Sequence, residues 1–120
     1  MPKDYRISVL LDFYGEMLTE KQREVIEFYY NGDLSLAEIA EHSGITRQGV
    51  RDSIKRAEAQ LLDCEERLGL WRRFLEIKRG LDEIEALALE VREENRLRGF
   101  SSQLNAKAQK IIDLARALND

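Results

Sequence analysis

Apolar residues recur at intervals of three and four along almost the whole chain, and this spacing restricts the fold more than any other feature. A single proline, Pro2, and only 7 glycines leave few points at which a helix must stop. No segment has the alternation of apolar and polar residues that marks a half-buried strand. We therefore expect an all-α protein.

Helix boundaries in the first half of the chain follow from capping residues. An amphipathic helix is predicted over residues 4–16, and Gly32 is predicted to stop the second helix as its C′ residue. Three later helices are predicted to begin at Ser or Thr caps, two of them with Glu or Gln three residues on: Thr19 with Gln22, Ser35 with Glu38, and Thr46.

From Leu70 onward the apolar residues alternate steps of four and three, as in a coiled coil. Gly80 lies inside this segment at a cost of about 1 kcal/mol relative to Ala, and Gly99 separates it from a second stripe. We expect a C-terminal pair of amphipathic helices over residues 70–120, joined near Gly69 to an N-terminal domain of residues 1–69. The stripe positions are Leu70, Phe74, Ile77, Leu81, Ile84, Ala88, Val91 and Asn95, then Leu104, Ala108, Ile111, Ala115 and Leu118.

The two C-terminal stripes differ in length, about 26 residues against about 15. A hairpin of the two helices would therefore leave part of the longer stripe uncovered. We expect a homodimer to cover it, because a two-fold dimer is the commonest closed assembly. The alternative is a monomer in which the N-terminal domain covers the Leu70–Phe74 end.

Charge and composition exclude several classes of function. Asp plus Glu number 23 against 19 for Lys plus Arg, a net charge of −4, so any nucleic-acid contact requires a local basic patch. Cys64 and His42 are the only residues of their kinds, which removes disulfides, cysteine zinc sites and most nucleophile–base pairs. We therefore expect no enzyme activity, no metal, no cofactor and no small-molecule substrate. No apolar run approaches the ~20 residues of a membrane span and the start is acidic, so we expect a cytoplasmic protein without a membrane partner.

Residues 35–57, SLAEIAEHSGITRQGVRDSIKRA, have the spacing of a helix-turn-helix. Ala40 supplies a small residue where two helices cross, and Gly44, four residues later, tolerates the positive φ of the turn. Val50 is placed to fill the angle between the helices. A helix-turn-helix used only as a packing unit is the alternative interpretation.

The second helix of this motif carries candidate DNA contacts. With Val50 on the inward face, residues 46–56 hold four cations and one anion, a local charge of +3. Arg and Lys pair with phosphate or guanine, and Gln pairs with adenine. Asp52, at the centre of the exposed face, is expected to pair with Lys55 or Arg56. The predicted DNA-binding residues are Thr46, Arg47, Gln48, Arg51, Lys55 and Arg56.

Other clusters have ordinary structural interpretations. The acidic pairs Glu65-Glu66 and Glu93-Glu94 are expected on solvated faces. Residues 71–98 hold seven residues of each charge, which favours an interaction helix over a second nucleic-acid site. The aromatic residues of the first two helices are expected in the core.

The stretch from Leu18 to Leu61 resembles the region-4 helix-turn-helix of bacterial sigma factors. More narrowly, LLDFYGEMLTEKQ, YYNGDLSLAEIAE and TRQGVRDSIKRAE resemble the YlxM family of small DNA-binding proteins. Where that family usually has Ala and an aromatic residue, this chain has Gly49 and Arg51. The resemblance implies a regulator that binds double-stranded DNA and is linked to the signal recognition particle pathway. It leaves open a non-catalytic module that binds protein or RNA components of that pathway instead of DNA.

Overall fold

The computed structural model describes all 120 residues. Six α-helices follow one another: α1 (Arg6–Tyr14), α2 (Glu20–Tyr30), α3 (Leu36–Ser43), α4 (Arg47–Leu68), α5 (Leu70–Leu97) and α6 (Ser102–Asn119). A short 3-10 turn, Gly15–Met17, follows α1. The prediction of an all-α fold is confirmed. The helices form two compact units, Met1–Arg72 and Arg73–Asp120.

The predicted capping residues begin α2, α3 and α4. The Thr19 hydroxyl accepts a hydrogen bond from the Gln22 N–H at 3.2 Å, and the Gln22 side chain accepts one from the Thr19 N–H at 3.2 Å. Ser35 and Glu38 make the same reciprocal pair at the start of α3. Each pair satisfies backbone donors that the first turn of a helix otherwise leaves free.

The second helix stops where it was predicted to stop, since α2 ends at Tyr30 with Asn31 as its C-cap and Gly32 as the C′ residue. Asp33, rather than Gly32, has the positive φ in the loop that follows, at 54°. Glycine is needed at position 32 for space, because a Cβ there would lie 2.9 Å from the backbone oxygen of Phe28. Aspartate is one of the few residues that adopts a left-handed conformation at modest cost, and the Asp33 carboxylate lies 3.0 Å from the Lys3 ammonium. The chain therefore turns at Asp33.

The first unit has one apolar core, in which α4 packs against α1, α2 and α3. Val50, Ile54 and Leu61 of α4 are all fully buried. Burial of one such side chain stabilises the fold by about 1.5–3 kcal/mol, so this stripe fixes the rotation of α4 and decides which of its residues face outward. The core also contains three of the tyrosines expected there, Tyr14, Tyr29 and Tyr30, whereas Tyr5, which was expected there too, is exposed.

The second unit is a hairpin formed by α5 and α6. The α5 helix runs unbroken through Gly80. Polar pairs close one side of the hairpin: Arg92 donates to Gln109 at 2.7 Å, and the Arg116 guanidinium lies 2.8 Å from Glu85. The buried residues are Ala88 and Asn95 on α5 and Ala108, Ile112 and Ala115 on α6.

Only Ala108 and Ala115 of the predicted α6 stripe are buried, whereas Leu104, Ile111 and Leu118 are exposed. Between the two alanines the prediction chose the wrong isoleucine, because Ile112 is fully buried and Ile111 is 45% exposed. Either isoleucine keeps the three-and-four spacing between Ala108 and Ala115, so the apolar pattern leaves the rotation of α6 undecided. In the observed orientation of α6, which buries Ile112, its polar side chains also pair with α5. Five residues of the predicted α5 stripe are likewise exposed: Leu70, Phe74, Ile77, Ile84 and Val91.

Asn95 closes the turn between α5 and α6. Its side chain donates to the Ser101 backbone oxygen at 2.9 Å and accepts from the Ser101 N–H at 3.1 Å. The Ser101 hydroxyl then accepts from the Leu104 N–H at 3.2 Å and caps α6. Asn95 was expected as one more position of the apolar stripe, and it instead orders the connection between the two helices.

Candidate nucleic-acid interface

Three residues, 44–46, join α3 to α4 in the helix-turn-helix. Gly44 has a φ of 68° and a ψ of 29°, which is the left-handed region that favours glycine. The N–H groups of Gly44 and Ile45 both donate to the Ala40 carbonyl, at 3.0 and 3.2 Å. These bonds satisfy a carbonyl that the end of a helix leaves free. The chain reverses at Gly44, and Thr46 then begins α4.

The apolar residues that hold the motif together lie at the core. Ile39 and Val50 are fully buried, one on each helix of the motif. Ala40 and Ile45 are partly buried and pack against the same core. The two helices are thus held by apolar contacts on their inward faces, which leaves the outward face of α4 to polar side chains.

The first turn of α4 is closed by Thr46, whose hydroxyl accepts from the Gly49 N–H at 3.0 Å. A Cβ at Gly49 would lie 3.2 Å from that hydroxyl and 3.7 Å from the Ile45 side chain. A side chain at position 49 would therefore crowd the cap. An alanine at this position would require the Thr46 hydroxyl to move by a few tenths of an ångström.

Four cations occupy the exposed side of the first ten residues of α4: Arg47, Arg51, Lys55 and Arg56. None of them has a carboxylate within ion-pair distance. Near the other end of the same helix, by contrast, Arg67 pairs with Asp63 at 2.9 Å. Residues 46–56 carry +3, so the rest of this chain of net charge −4 sums to −7. The N-terminal half of α4 therefore carries a local excess of unpaired positive charge.

The expected ion pair of Asp52 with Lys55 or Arg56 is wrong. The Asp52 carboxylate instead accepts a hydrogen bond from the Gln48 side-chain amide, Nε2 to Oδ1, at 2.9 Å. Residues four apart on a helix face each other, and the short Gln48 side chain makes this contact without leaving the helix surface. Exposed ion pairs of long cationic side chains gain little in water. Gln48 and Asp52 therefore pair with each other, and the cations remain free.

Glu65, expected on a solvated face, is instead the main polar contact between α4 and α5. Its carboxylate accepts from the Tyr14 hydroxyl at 2.7 Å and from the Trp71 and Arg72 N–H groups at 3.0 and 3.1 Å. The Tyr14 hydroxyl also accepts from the Leu70 N–H at 3.0 Å. Burial, followed by the hydrogen bond to Glu65, raises the pKa of Tyr14 above 10.0.

A sequence signal for this contact exists in hindsight. Gly69 ends α4 in the left-handed region with a φ of 62°, and α5 begins at the next residue. Glu65 lies one helical turn before that glycine, within reach of the free N–H groups that begin the following helix. A carboxylate is favoured at such an N-terminus by the helix dipole.

Side chains able to hold a metal are scattered: no three His, Cys, Asp or Glu residues lie close enough to share an ion. His42 packs edge-on against the Phe28 ring, with 4.8 Å between ring centroids. The Cys64 sulfur lies 3.9 Å from the Met17 sulfur. Separately, none of the helices combines the length and apolar character needed to cross a bilayer.

The chain is similar to a family of bacterial proteins. A family model described as "Putative helix-turn-helix protein, YlxM / p13 like" matches residues 1–98. A UPF0122 protein of Acetivibrio thermocellus is 52% identical over 84 residues, which are 70% of this chain and 72% of the relative. A UPF0122 protein of Exiguobacterium sibiricum is 46% identical over 89 residues, which are 74% of this chain and 84% of the relative. The chain therefore belongs to the UPF0122 family of YlxM- and p13-like helix-turn-helix proteins.

Proposed function

We propose that this protein is a non-catalytic cytoplasmic regulator that binds double-stranded DNA through the N-terminal half of α4. The observation that carries the proposal is the set of four exposed, unpaired cations on that half helix, within a chain that is acidic elsewhere. Cations without intramolecular partners are free to replace the counterions of a phosphate backbone. Recognition helices of helix-turn-helix proteins contact DNA with their N-terminal residues.

Each candidate residue has a role that fits its chemistry. Arg47, in the first turn, and Arg51, Lys55 and Arg56 along the outward face are assigned to phosphate or guanine contacts. Gln48 is assigned to adenine, because an amide can donate to N7 and accept from N6 together. Thr46 is assigned to capping, with its hydroxyl oxygen already accepting from Gly49 and its proton free for a phosphate oxygen.

The proposal is tested by binding of the full chain to a labelled random-sequence duplex at several salt concentrations. Four phosphate contacts for each subunit predict a slope in log K against log salt of about −3.6 for a bound monomer and about −7 for a dimer that engages both recognition helices. Arg47→Glu is expected to reduce the slope by at least about 1 and to weaken binding to all sequences alike. The matched control is Arg79→Glu on α5, which reverses another exposed, unpaired cation and changes the net charge equally.

The proposal fails if the wild type does not bind the duplex even at low salt. The assignment of α4 as the DNA-binding helix is wrong if Arg47→Glu and Arg79→Glu weaken binding to the same extent. Circular dichroism of both variants, with unchanged helical signal, establishes that the fold is intact.

We further propose that the protein acts as a homodimer through one face of the α5–α6 hairpin. Ile77, Ile84 and Val91 are spaced by seven residues on α5, and so are three exposed residues of α6: Leu104, Ile111 and Leu118. Seven residues are nearly two helical turns, so each set forms a line along its helix. Val91 and Leu104 line the same cavity of about 340 Å³, which supports a single face shared by both lines.

Charge along the edges of this face favours a second copy as the occupant. Glu83 and Glu90 each precede a stripe residue of α5, and α6 carries Lys107 and Lys110. None of these four residues has an ion pair within the chain. A two-fold axis parallel to the helices would place α5 of one copy over α6 of the other, so that acidic edges meet basic edges.

Sedimentation of the wild type at tens of micromolar tests the dimer. We expect a dimer for the wild type and a monomer for Ile84→Asp, in which a charge enters the apolar face. Ala86→Asp is the matched control, since it places the same charge on α5 at an exposed position two residues away. A monomeric wild type contradicts the proposal, and so does an Ile84→Asp variant that remains dimeric.

The alternative function, a protein- or RNA-binding module of the signal recognition particle pathway, predicts a different result in the same titration. A module that binds a protein partner would not retain random duplex DNA at low salt. A pull-down of the full chain from lysate, with and without nuclease, separates partners held through nucleic acid from partners held by protein contacts.

A further inference from the structure

We propose that Asp52 is a positioning residue that sets the base preference of Gln48, an inference that rests on the proposed DNA-binding function. The geometry that carries it is the hydrogen bond from Gln48 Nε2 to Asp52 Oδ1, at 2.9 Å. Both residues are exposed on the outward face of α4, at the centre of the four unpaired cations.

The hydrogen bond decides which way the Gln48 amide faces. An ionised carboxylate can only accept hydrogen bonds, so it binds the NH₂ end of the amide and turns the carbonyl oxygen away. A glutamine without such a partner has two orientations of similar energy, related by a flip of oxygen and nitrogen. Asp52 therefore selects one of two arrangements that Gln48 could present to DNA.

The selected arrangement still has what adenine requires. A primary amide has two N–H donors, and donation of one to Asp52 leaves the carbonyl oxygen and the second N–H free. Adenine offers one acceptor, N7, and one donor, the N6 amino group, in the major groove. In the flipped orientation the amide oxygen would face N7, and two acceptors would oppose each other. Asp52 thus acts on base choice without touching the base.

Asp52 also has a second effect that any test must separate from the first. Its negative charge lies among cations and opposes binding of phosphates of every sequence. Removal of the charge is expected to strengthen binding to all duplexes, whereas removal of the hydrogen bond is expected to act at one base pair only. The two effects differ in their dependence on sequence.

The experiment uses the full chain and a duplex library with randomised bases. Selection with the wild type gives its preferred site, and selection with Gln48→Ala identifies the base pair that Gln48 reads, where a loss of about 5- to 150-fold in discrimination is expected. Asp52→Ala is expected to lose about 2- to 10-fold at that base pair and nothing at others. Gln48→Ala/Asp52→Ala is expected to lose no more than Gln48→Ala alone, because Asp52 acts through Gln48.

Two further variants isolate the hydrogen bond from the charge. Asp52→Glu keeps a carboxylate that Gln48 can reach and is expected to restore the adenine preference. Glu66→Ala is the control for charge, since it removes one exposed anion of α4 that lies 14 residues away, about 21 Å along the helix. It is expected to leave discrimination unchanged at every base pair.

The outcomes separate this inference from the proposed function. If the wild type binds no duplex, both fail. Two results would overturn only the role of Asp52. In the first, the wild type binds duplex DNA, but Gln48→Ala removes no base preference. In the second, Asp52→Ala changes binding to all duplexes equally, as a charge effect would. Additive losses in the Gln48→Ala/Asp52→Ala variant would also overturn it.

Discussion

Replacement of Glu65 by alanine removes the acceptor that links the end of α4 to the start of α5. The Glu65 carboxylate receives three hydrogen bonds, one from the buried Tyr14 hydroxyl and two from backbone N–H groups in the first turn of α5. Without it, the two N–H groups lose their only partner within the protein, and the Tyr14 hydroxyl loses the acceptor for its proton.

The size of the loss follows from the surroundings of these donors. The Tyr14 side chain is 1% exposed, so water cannot readily replace Glu65, and a buried donor left unpaired costs about 1–3 kcal/mol. The N–H groups of α5 are nearer to solvent, and loss of a helix cap of this kind costs about 0.5–2 kcal/mol. We expect Glu65→Ala to lower the free energy of unfolding by about 2–4 kcal/mol.

The assay is urea denaturation at pH 7, with Glu66→Ala as the neighbouring control. Glu66 is exposed and makes no hydrogen bond or ion pair, so its replacement is expected to cost at most about 0.5 kcal/mol. Tyr14→Phe, combined with Glu65→Ala in a double-mutant cycle, is expected to give a coupling of at least about 1 kcal/mol. Equal stabilities of the Glu65→Ala and Glu66→Ala variants would refute this reasoning.

The same contact predicts a dependence on pH. Partial burial raises the pKa of Glu65, but the hydrogen bonds from Tyr14, Trp71 and Arg72 outweigh it and hold the pKa below 4.5. A carboxyl whose pKa is lowered by folding contributes stability that is complete above its unfolded pKa and is lost as the pH falls through its folded pKa. The difference in unfolding free energy between wild type and Glu65→Gln is therefore expected to be constant from about pH 7 to 5 and to shrink below about 4.5.

Two further substitutions test the turns. Gly44→Val is expected to destabilise the first unit by about 1–3 kcal/mol, and Gly44→Ala by less, because an added Cβ has no neighbour within 4 Å and the cost is the left-handed backbone alone; equal melting temperatures for both variants and wild type would contradict this. Asn95→Leu is expected to cost about 1–3 kcal/mol by leaving the Ser101 backbone groups without partners, measured by thermal unfolding, and a variant of unchanged stability would mean that water replaces the side chain.

The features that could be predicted from sequence are those fixed by local backbone chemistry. A capping box such as Thr19 with Gln22 needs only residues three apart, and the left-handed turn at Gly44 needs only a residue without a Cβ. The inward face of α4 could also be predicted, because no other apolar stripe on this helix competes with Val50, Ile54 and Leu61. These features fix the outward face of α4 and hence the candidate DNA-binding residues.

The features that the sequence did not predict depend either on contacts with other helices or on alternatives that fit the sequence pattern almost equally well. Ile111 and Ile112 fit the apolar spacing equally well, and only contacts with α5 distinguish them. Glu65 receives its shortest hydrogen bond from Tyr14 of α1, and no local pattern connects these two residues. Asp52 had three polar neighbours within reach, and the weak energies of exposed pairs give a sequence-based argument no means to rank them.

The distribution of charge along α4 is the remaining argument for a role in binding. Residues 46–56 carry +3 and residues 57–68 carry −3, so the helix has cations at its N-terminal end and acids towards its C-terminal end. The helix dipole favours the opposite arrangement, by about 0.3–1 kcal/mol for each charge in a terminal turn. The first turn contains Arg47 and no acidic residue, so helix stability does not account for this pattern. A phosphate at the N-terminus of α4 would meet the cations, the free N–H groups and the positive end of the dipole together, which gives the arrangement a physical reason that folding alone does not supply.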